Sequence, residues 1–267
     1  MEETAFITAV IRADENRRTD RYLIDPFADH LVTPRARFAA ARALEAGGTT
    51  GSVILRGRFG DQVLRDAVDS GITQVVVLGA GSDTRCWRLP LVSAVQVYEV
   101  DLPGQLEAKE RLLSGLPRPT CRRTLLDCDL RSPGWTSALA GRGHHRGRRT
   151  LWVVEGLLPY LSPEESDRLL AEVSAVSAAD SVITLDAPDA RYLAEPANAG
   201  FLTYMERAGS PFLHGVQDMA SYLGAFGWRA AAYSVADLGE GRCTGMPRPP
   251  RRLCAPRDHH WIARAQI

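Results

Sequence analysis

Apolar residues along this chain follow two rhythms. Short runs rich in Val, Ile and Leu, bounded by Gly, Pro or Asp, predict strands at 73–79, 94–100, 121–127, 150–155 and 181–187. Between them, apolar positions recurring every three or four residues predict helices at roughly 103–115, 134–141 and 163–178. Regular strand–helix alternation predicts a parallel, doubly wound α/β sheet, because each right-handed crossover lays its helix on a sheet face.

Helical periodicity also fills the region before the first strand, at 3–17, briefly after Asp25-Pro26-Phe27, at 34–46 and from Ser52 to Ser70. After the fifth strand, the segment DARYLAEPANAGFLTYMERAGSPFLHG is helical in pattern but belongs to no simple crossover, so it is expected to form a lid beside the strand ends. A helix at 216–227 stops at Gly227, and the runs Trp228–Val235 and His260–Ile267 are expected to close the sheet as an antiparallel pair. Breaker residues concentrate only at 239–257.

At 267 residues and 45% hydrophobic content, the chain can bury one large core, which favours a single domain with a lid over two independent domains. Its 32 basic and 32 acidic residues cancel, so no global field steers nucleic acid or acidic membranes toward it. Lys109 is the sole lysine, and the arginine excess is compositional; clusters at Arg142, Arg146, Arg148 and Arg149, and at Arg248, Arg251 and Arg252, fall in expected loops. Five cysteines form no metal-type or redox-type pair, and neither a signal segment nor a membrane-length apolar run is evident. A reducing cytoplasmic setting without a metal is the expectation.

Chemistry concentrates where predicted strands end. The first strand runs into Gly79-Ala80-Gly81, and Asp101 ends the second strand about 20 residues on, the spacing at which an acid can grip ribose hydroxyls. A third glycine of a dinucleotide fingerprint would fall at Thr84, which disfavours NAD. Asp83 or Thr84 can instead cap the next helix, and an acid there suits a cofactor with a cationic amino-acid head. Asp129 can accept from an adenine amino group or cap the helix near Trp135. Glu155 ends an apolar run and calls for a cation, supplied by a ligand amino group or by Arg58 or Arg85. Asp186 also stands at a strand end. Arg56 and Arg58 are open alternatives for a ligand carboxylate, or plain surface arginines.

With these residues in view, the chain resembles the leucine carboxyl methyltransferase-like family, class I Rossmann-like methyltransferases dependent on S-adenosylmethionine and including bacterial secondary-metabolite O-methyltransferases. The resemblance spans most of the chain and rests on Asp25-Pro-Phe, Arg56-x-Arg58-Phe, LGAGSDTRCWRL at 78–89, YEVDLP at 98–103, DLR at 129–131 and EGLLPYLSPEE at 155–165. It implies that Arg58 holds the methionyl carboxylate, and that Gly79, Ala80, Gly81 and Asp83 line the cofactor. It further implies that Asp101 and Leu102 meet the ribose, Asp129 and Leu130 face adenine, and Glu155 lies near the methionyl amino group.

The implied division is a helical region at 1–71, a cofactor-binding core at 72–188, a lid at 189–215 and a C-terminal part of the core at 216–267. Tyr160, Tyr192, Phe201, Tyr204, Phe212 and His214 are candidates for the substrate pocket. The implied reaction is methyl transfer to a carboxylate or hydroxyl of a small molecule such as a polyketide, releasing S-adenosylhomocysteine. A carboxylate needs no general base, whereas a hydroxyl would, with His214 as the candidate. A protein C-terminal carboxylate is the alternative acceptor, and a cofactor-binding fold without methyl transfer the alternative role. The expected partners are a small acceptor, with no nucleic acid and no membrane, in a monomer or homodimer.

Overall fold

The computed structural model describes residues 2–255 and 259–267, with side chains from Phe6 onward, so positions 256 and 257 of the breaker-rich stretch lie outside the described residues. The chain runs through α1 (Glu2–Asn16), α2 (Pro34–Glu45), α3 (Gly51–Asp69), β1 (Gln74–Leu78), the single turn α4 (Arg85–Arg88) and β2 (Gln96–Asp101). It continues through α5 (Gln105–Leu113), β3 (Arg122–Asp127), α6 (Trp135–Gly141), β4 (Thr150–Val154), α7 (Pro163–Ala175) and β5 (Val182–Pro188). There follow α8 (Ala190–Ala194), α9 (Ala199–Arg207), α10 (Met219–Gly224), β6 (Arg229–Ser234), α11 (Val235–Gly239) and β7 (His260–Gln266). The piece after Asp25-Pro26-Phe27 is a single 3-10 turn, Ala28–Leu31.

Strand order across the sheet is β3-β2-β1-β4-β5-β7-β6. The first five strands are parallel, and β7 is antiparallel to both β5 and β6. Every residue of β1 and β4 is buried, which explains why they read as unbroken apolar runs: helices cover both faces. Val75, Val77, Leu151 and Val153 point to the layer of α3, against Ile54, Leu55 and Phe59. Val76, Leu78, Trp152 and Val154 point to the opposite layer, against Trp135 of α6 and Leu169 and Val173 of α7.

Local sequence fixes where α7 begins. Pro163 occupies its first turn, and the Ser162 hydroxyl accepts from the Glu165 N–H while Glu165 accepts from the Ser162 N–H, a reciprocal cap. The order of strands reverses between β1 and β4, so the loops after them diverge and leave a crevice at the carboxyl ends. The lid meets that edge: Asp189 bridges Val216, and the Leu213 N–H donates to the Pro159 carbonyl at 2.7 Å. Among the described residues, no helix is long and apolar enough to cross a membrane.

Candidate functional site

The turn leaving β1 begins the site. Gly79 and Gly81 hold φ of +68° and +35°, a region that strains any side-chain-bearing residue, so glycine lets the chain leave the strand sharply. The N–H groups of Gly79 and Ala80 donate to the Val100 carbonyl at 2.9 and 3.1 Å, tying the turn to β2. At the end of β2, Asp101 accepts from the Gly81 N–H at 2.6 Å and the Leu102 N–H at 2.7 Å, one on each carboxylate oxygen. Burial nevertheless raises its pKa against the pull of these two donors.

Beyond the turn lies a buried charge cluster. Asp83 accepts from the Arg85 N–H at 2.7 Å, and Thr84, standing where a third glycine would, donates its hydroxyl to Asp25 at 2.7 Å. The Arg85 guanidinium reaches three carboxylates: Asp61 at 2.9 Å, Asp83 at 2.6 Å and Glu155 at 2.7 Å. Arg88 also pairs with Asp61, and Arg12 holds Asp25 at 2.8 Å. Three arginines thus face four carboxylates, leaving one negative charge in excess.

Burial lifts the Glu155 pKa to about 7, with Arg85 opposing and Asp83 and Asp186 adding to the rise. Asp83 moves the other way, to about 2, because Arg85, Arg88 and Lys109 outweigh its burial. Glu155 lines the cleft, so a cationic ligand group there would favour its ionised form. Its protein partner is Arg85, not Arg58. Gly60 makes this packing achievable, since a Cβ there would lie 1.9 Å from Glu155 Oε1 and 2.6 Å from Arg85 Nη2.

Of the two arginines on α3, the structure brings Arg56 and not Arg58 to the cleft. Residues two apart on a helix are separated by roughly 200°, and Arg58 lies on the side near Tyr22. Arg58, expected to hold a ligand carboxylate, is thus not among the residues lining the cleft, whereas Arg56 is. Arg56 donates to Asp186 at 3.0 Å and is 16% exposed, while Asp186 is fully buried. Asp186 is held in turn by the Gly156 N–H at 2.6 Å and the His260 imidazole at 2.5 Å. Burial pushes the Asp186 pKa up, yet Arg56 and His260 carry it down to about 2.

These groups share one open cleft with a cavity volume of about 210 Å³. Gly79, Ala80, Gly81, Asp83, Asp101 and Leu102 line it, joined by Asp129, Leu130, Glu155 and Tyr160. Asp129 does not cap α6, whose N-cap is Gly134; it accepts from the Arg131 N–H and side chain, which hold its pKa low.

The lid candidates lie behind this wall. Phe212 meets Tyr160 edge-on at 5.4 Å and is itself flanked by Tyr192 at 6.2 Å and Phe201 at 5.6 Å. Tyr204 donates its hydroxyl to the Ala39 carbonyl at 3.0 Å, which ties α9 to α2. His214 bonds Ser166 at 3.0 Å and packs against Tyr222. None of these five lines the cleft; from the lid only Ser210 does. Their sequence signal, aromatic residues in a lid, is the same for a cavity wall and for the packing behind it. Sequence reasoning passed over Gly60, Arg12, Gln105 and His260, whose importance lies in contacts made across the fold.

A cleft at the switch point of the sheet, with a glycine turn, a strand-end acid and charged side chains in its wall, is where open α/β sheets bind their ligands. The leucine carboxyl methyltransferase family matches residues 5–174. A provisionally named S-adenosyl-L-methionine-dependent methyltransferase of Saccharopolyspora erythraea is 36% identical over 89% of this chain and 86% of its own length. A relative of the same provisional name from Parafrankia sp. is 37% identical over 72% of this chain, the match spanning 64% of the relative. Among solved structures, a DUF574 family protein from Streptomyces avermitilis superposes with a TM-score of 0.67 at 13% identity, covering 98% of this chain and 96% of that one. A provisionally named methyltransferase from Thermobifida fusca gives 0.65 at 16% identity, covering 98% and 93%. The chain belongs to the leucine carboxyl methyltransferase family of S-adenosylmethionine-dependent methyltransferases, with the class I methyltransferase fold.

Proposed function

We propose that the cleft holds S-adenosylmethionine and that the chain transfers its methyl group to an oxygen of a small acceptor, a carboxylate by preference. The observation that carries this is that Arg56, held by Asp186, and Glu155, held by Arg85, both line the cleft that also contains Asp101. A zwitterionic amino-acid head needs such an adjacent cation and anion, and a ribose diol needs an acceptor at the end of β2. In this assignment Arg56 takes the methionyl carboxylate and Glu155 the amino group. Gly79, Ala80, Gly81 and Asp83 flank the methionyl chain, Asp101 and Leu102 meet the ribose, and Asp129 and Leu130 meet adenine.

The bound cofactor supplies an electrophilic methyl group on a sulfonium. The chain's own task is to orient the acceptor in line with it and to keep water out. Tyr160 and Leu157 line the cleft, and burial pushes the Tyr160 phenol up to about 12, so it remains protonated. His214, the candidate base for a hydroxyl acceptor, is engaged with Ser166 and does not line the cleft. A carboxylate acceptor is already ionised near neutral pH and needs no base. We take the acceptor to be a secondary metabolite of polyketide type, methylated in the cytoplasm by a monomer or homodimer.

Methyl-labelled S-adenosylmethionine incubated with the protein and a panel of carboxylic acids and phenols tests this assignment. The expected product releases labelled methanol in mild alkali, as an ester does. Label found only in alkali-stable ethers would overturn the carboxyl assignment. S-adenosylhomocysteine binding without any transfer across the panel would favour a binding role.

A further inference from the structure

We propose that Gln105 is a second ribose-recognising residue: its side-chain carbonyl accepts a hydrogen bond from one ligand hydroxyl while Asp101 holds the other. The proposal rests on the cofactor assignment above and goes beyond it. Gln105 is the first residue of α5, four positions after Asp101, and both line the cleft. Gly104, at φ +87°, makes the turn that sets the head of α5 beside the end of β2. Gln105 is only 5% exposed, and its Oε1 is buried without any hydrogen-bond partner among the described residues. Buried carbonyl oxygens are otherwise paired almost throughout folded proteins, so an orphan lining a ligand cleft points to a donor carried by the ligand.

The chemistry of that donor follows from its neighbour. Each Asp101 oxygen already accepts one backbone N–H, from Gly81 and from Leu102, and retains further acceptor capacity. Asp101, with acceptor capacity to spare, and Gln105, with an unused acceptor, therefore both belong to the wall of the cleft. A group with two adjacent hydroxyl donors serves both; a single hydroxyl, with one donor, serves only one. The vicinal diol of a ribose is such a group, and its deoxy counterparts are not.

Two variants in the full chain, Gln105→Leu and Gln105→Met, remove the acceptor at similar volume. Calorimetric titration with S-adenosylhomocysteine and with its 2′-deoxy and 3′-deoxy analogues then compares each protein with each ligand. The expected result is about tenfold weaker binding of the ribose ligand by both variants, an undiminished unfolding temperature without ligand, and a smaller ribose-over-deoxyribose preference than in the wild type for one of the two analogues. Equal loss for ribose and deoxyribose ligands would make Gln105 a packing residue and overturn the proposal, as would unchanged affinity. Failure of the wild type itself to bind S-adenosylhomocysteine would remove the cofactor assignment first and this inference with it.

Discussion

Arg56 and Arg58 lie about a half-turn apart on α3, and of the two only Arg56 lines the cleft. Arg56→Ala removes one of the arginines lining the cleft and leaves Asp186 buried with only the Gly156 N–H and His260. We expect S-adenosylhomocysteine to bind about a hundredfold more weakly, whereas Arg58→Ala stays within about threefold, as for a residue outside the contact set; calorimetry on both variants checks this. Glu155 carries the second residue-scale prediction. Its pKa is raised from an ordinary 4.5 to about 7, so between those values the folded state binds more protons than the unfolded one. Stability contributed by the protonated form is present below about 4.5 and lost as pH rises through about 7. A cationic ligand group favours the ionised form, so affinity for S-adenosylhomocysteine should increase as pH rises through 7 and then level off. Glu155→Gln should flatten that profile; an unaltered profile in the variant would separate Glu155 from the effect.

Elements set these residues in place, and glycine positions test how tightly. Gly60 lies inside α3, where alanine would ordinarily stabilise a helix by about 1 kcal/mol. Its Cβ would fall 1.9 Å from Glu155 Oε1, so Gly60→Ala should instead lower both the unfolding temperature and the ligand affinity. Gly141, at the end of α6, has nothing within 4 Å of a Cβ position; Gly141→Ala should be neutral or stabilising by about 0.5 kcal/mol. Thermal unfolding of the pair distinguishes a packed cradle from a general glycine effect. In the lid, Phe212→Ala removes the ring behind Tyr160, and should raise KM for the acceptor several-fold while leaving cofactor affinity within about twofold. Equal effects on both would place the lid against the cofactor instead.

At the scale of the whole molecule, legibility followed the range of the interactions. β1 and β4 were readable because burial on both faces makes them continuous apolar runs, and α7 because its Ser-Pro-Glu-Glu cap is local. The glycine turn and Asp101 were readable because their spacing is written within one βαβ unit. That β7 inserts between β5 and β6 depends on edge pairing, which leaves no local mark. Arg56 could not be told from Arg58 because the register of α3 against β4 and β5 is a tertiary fact, and Gly60 matters only through an atom of Glu155 far along the chain. The packing of Tyr192, Phe201 and Phe212 behind Tyr160 is not written in the sequence, because periodicity marks a side chain as buried without saying against what. Three arginines facing four carboxylates could be seen only once α1, α3, α4 and the loop after β4 had met.

The central claim is that this cleft binds an adenosyl amino acid through a charge pair at one end and a diol acceptor at the other. Titration of the wild-type chain with S-adenosylhomocysteine, beside Arg56→Ala and Asp101→Ala, tests it most directly. Binding at one site per chain, strongly weakened by either substitution in protein that remains folded, is the predicted result. A folded wild type that shows no binding, or binding indifferent to both substitutions, would contradict it.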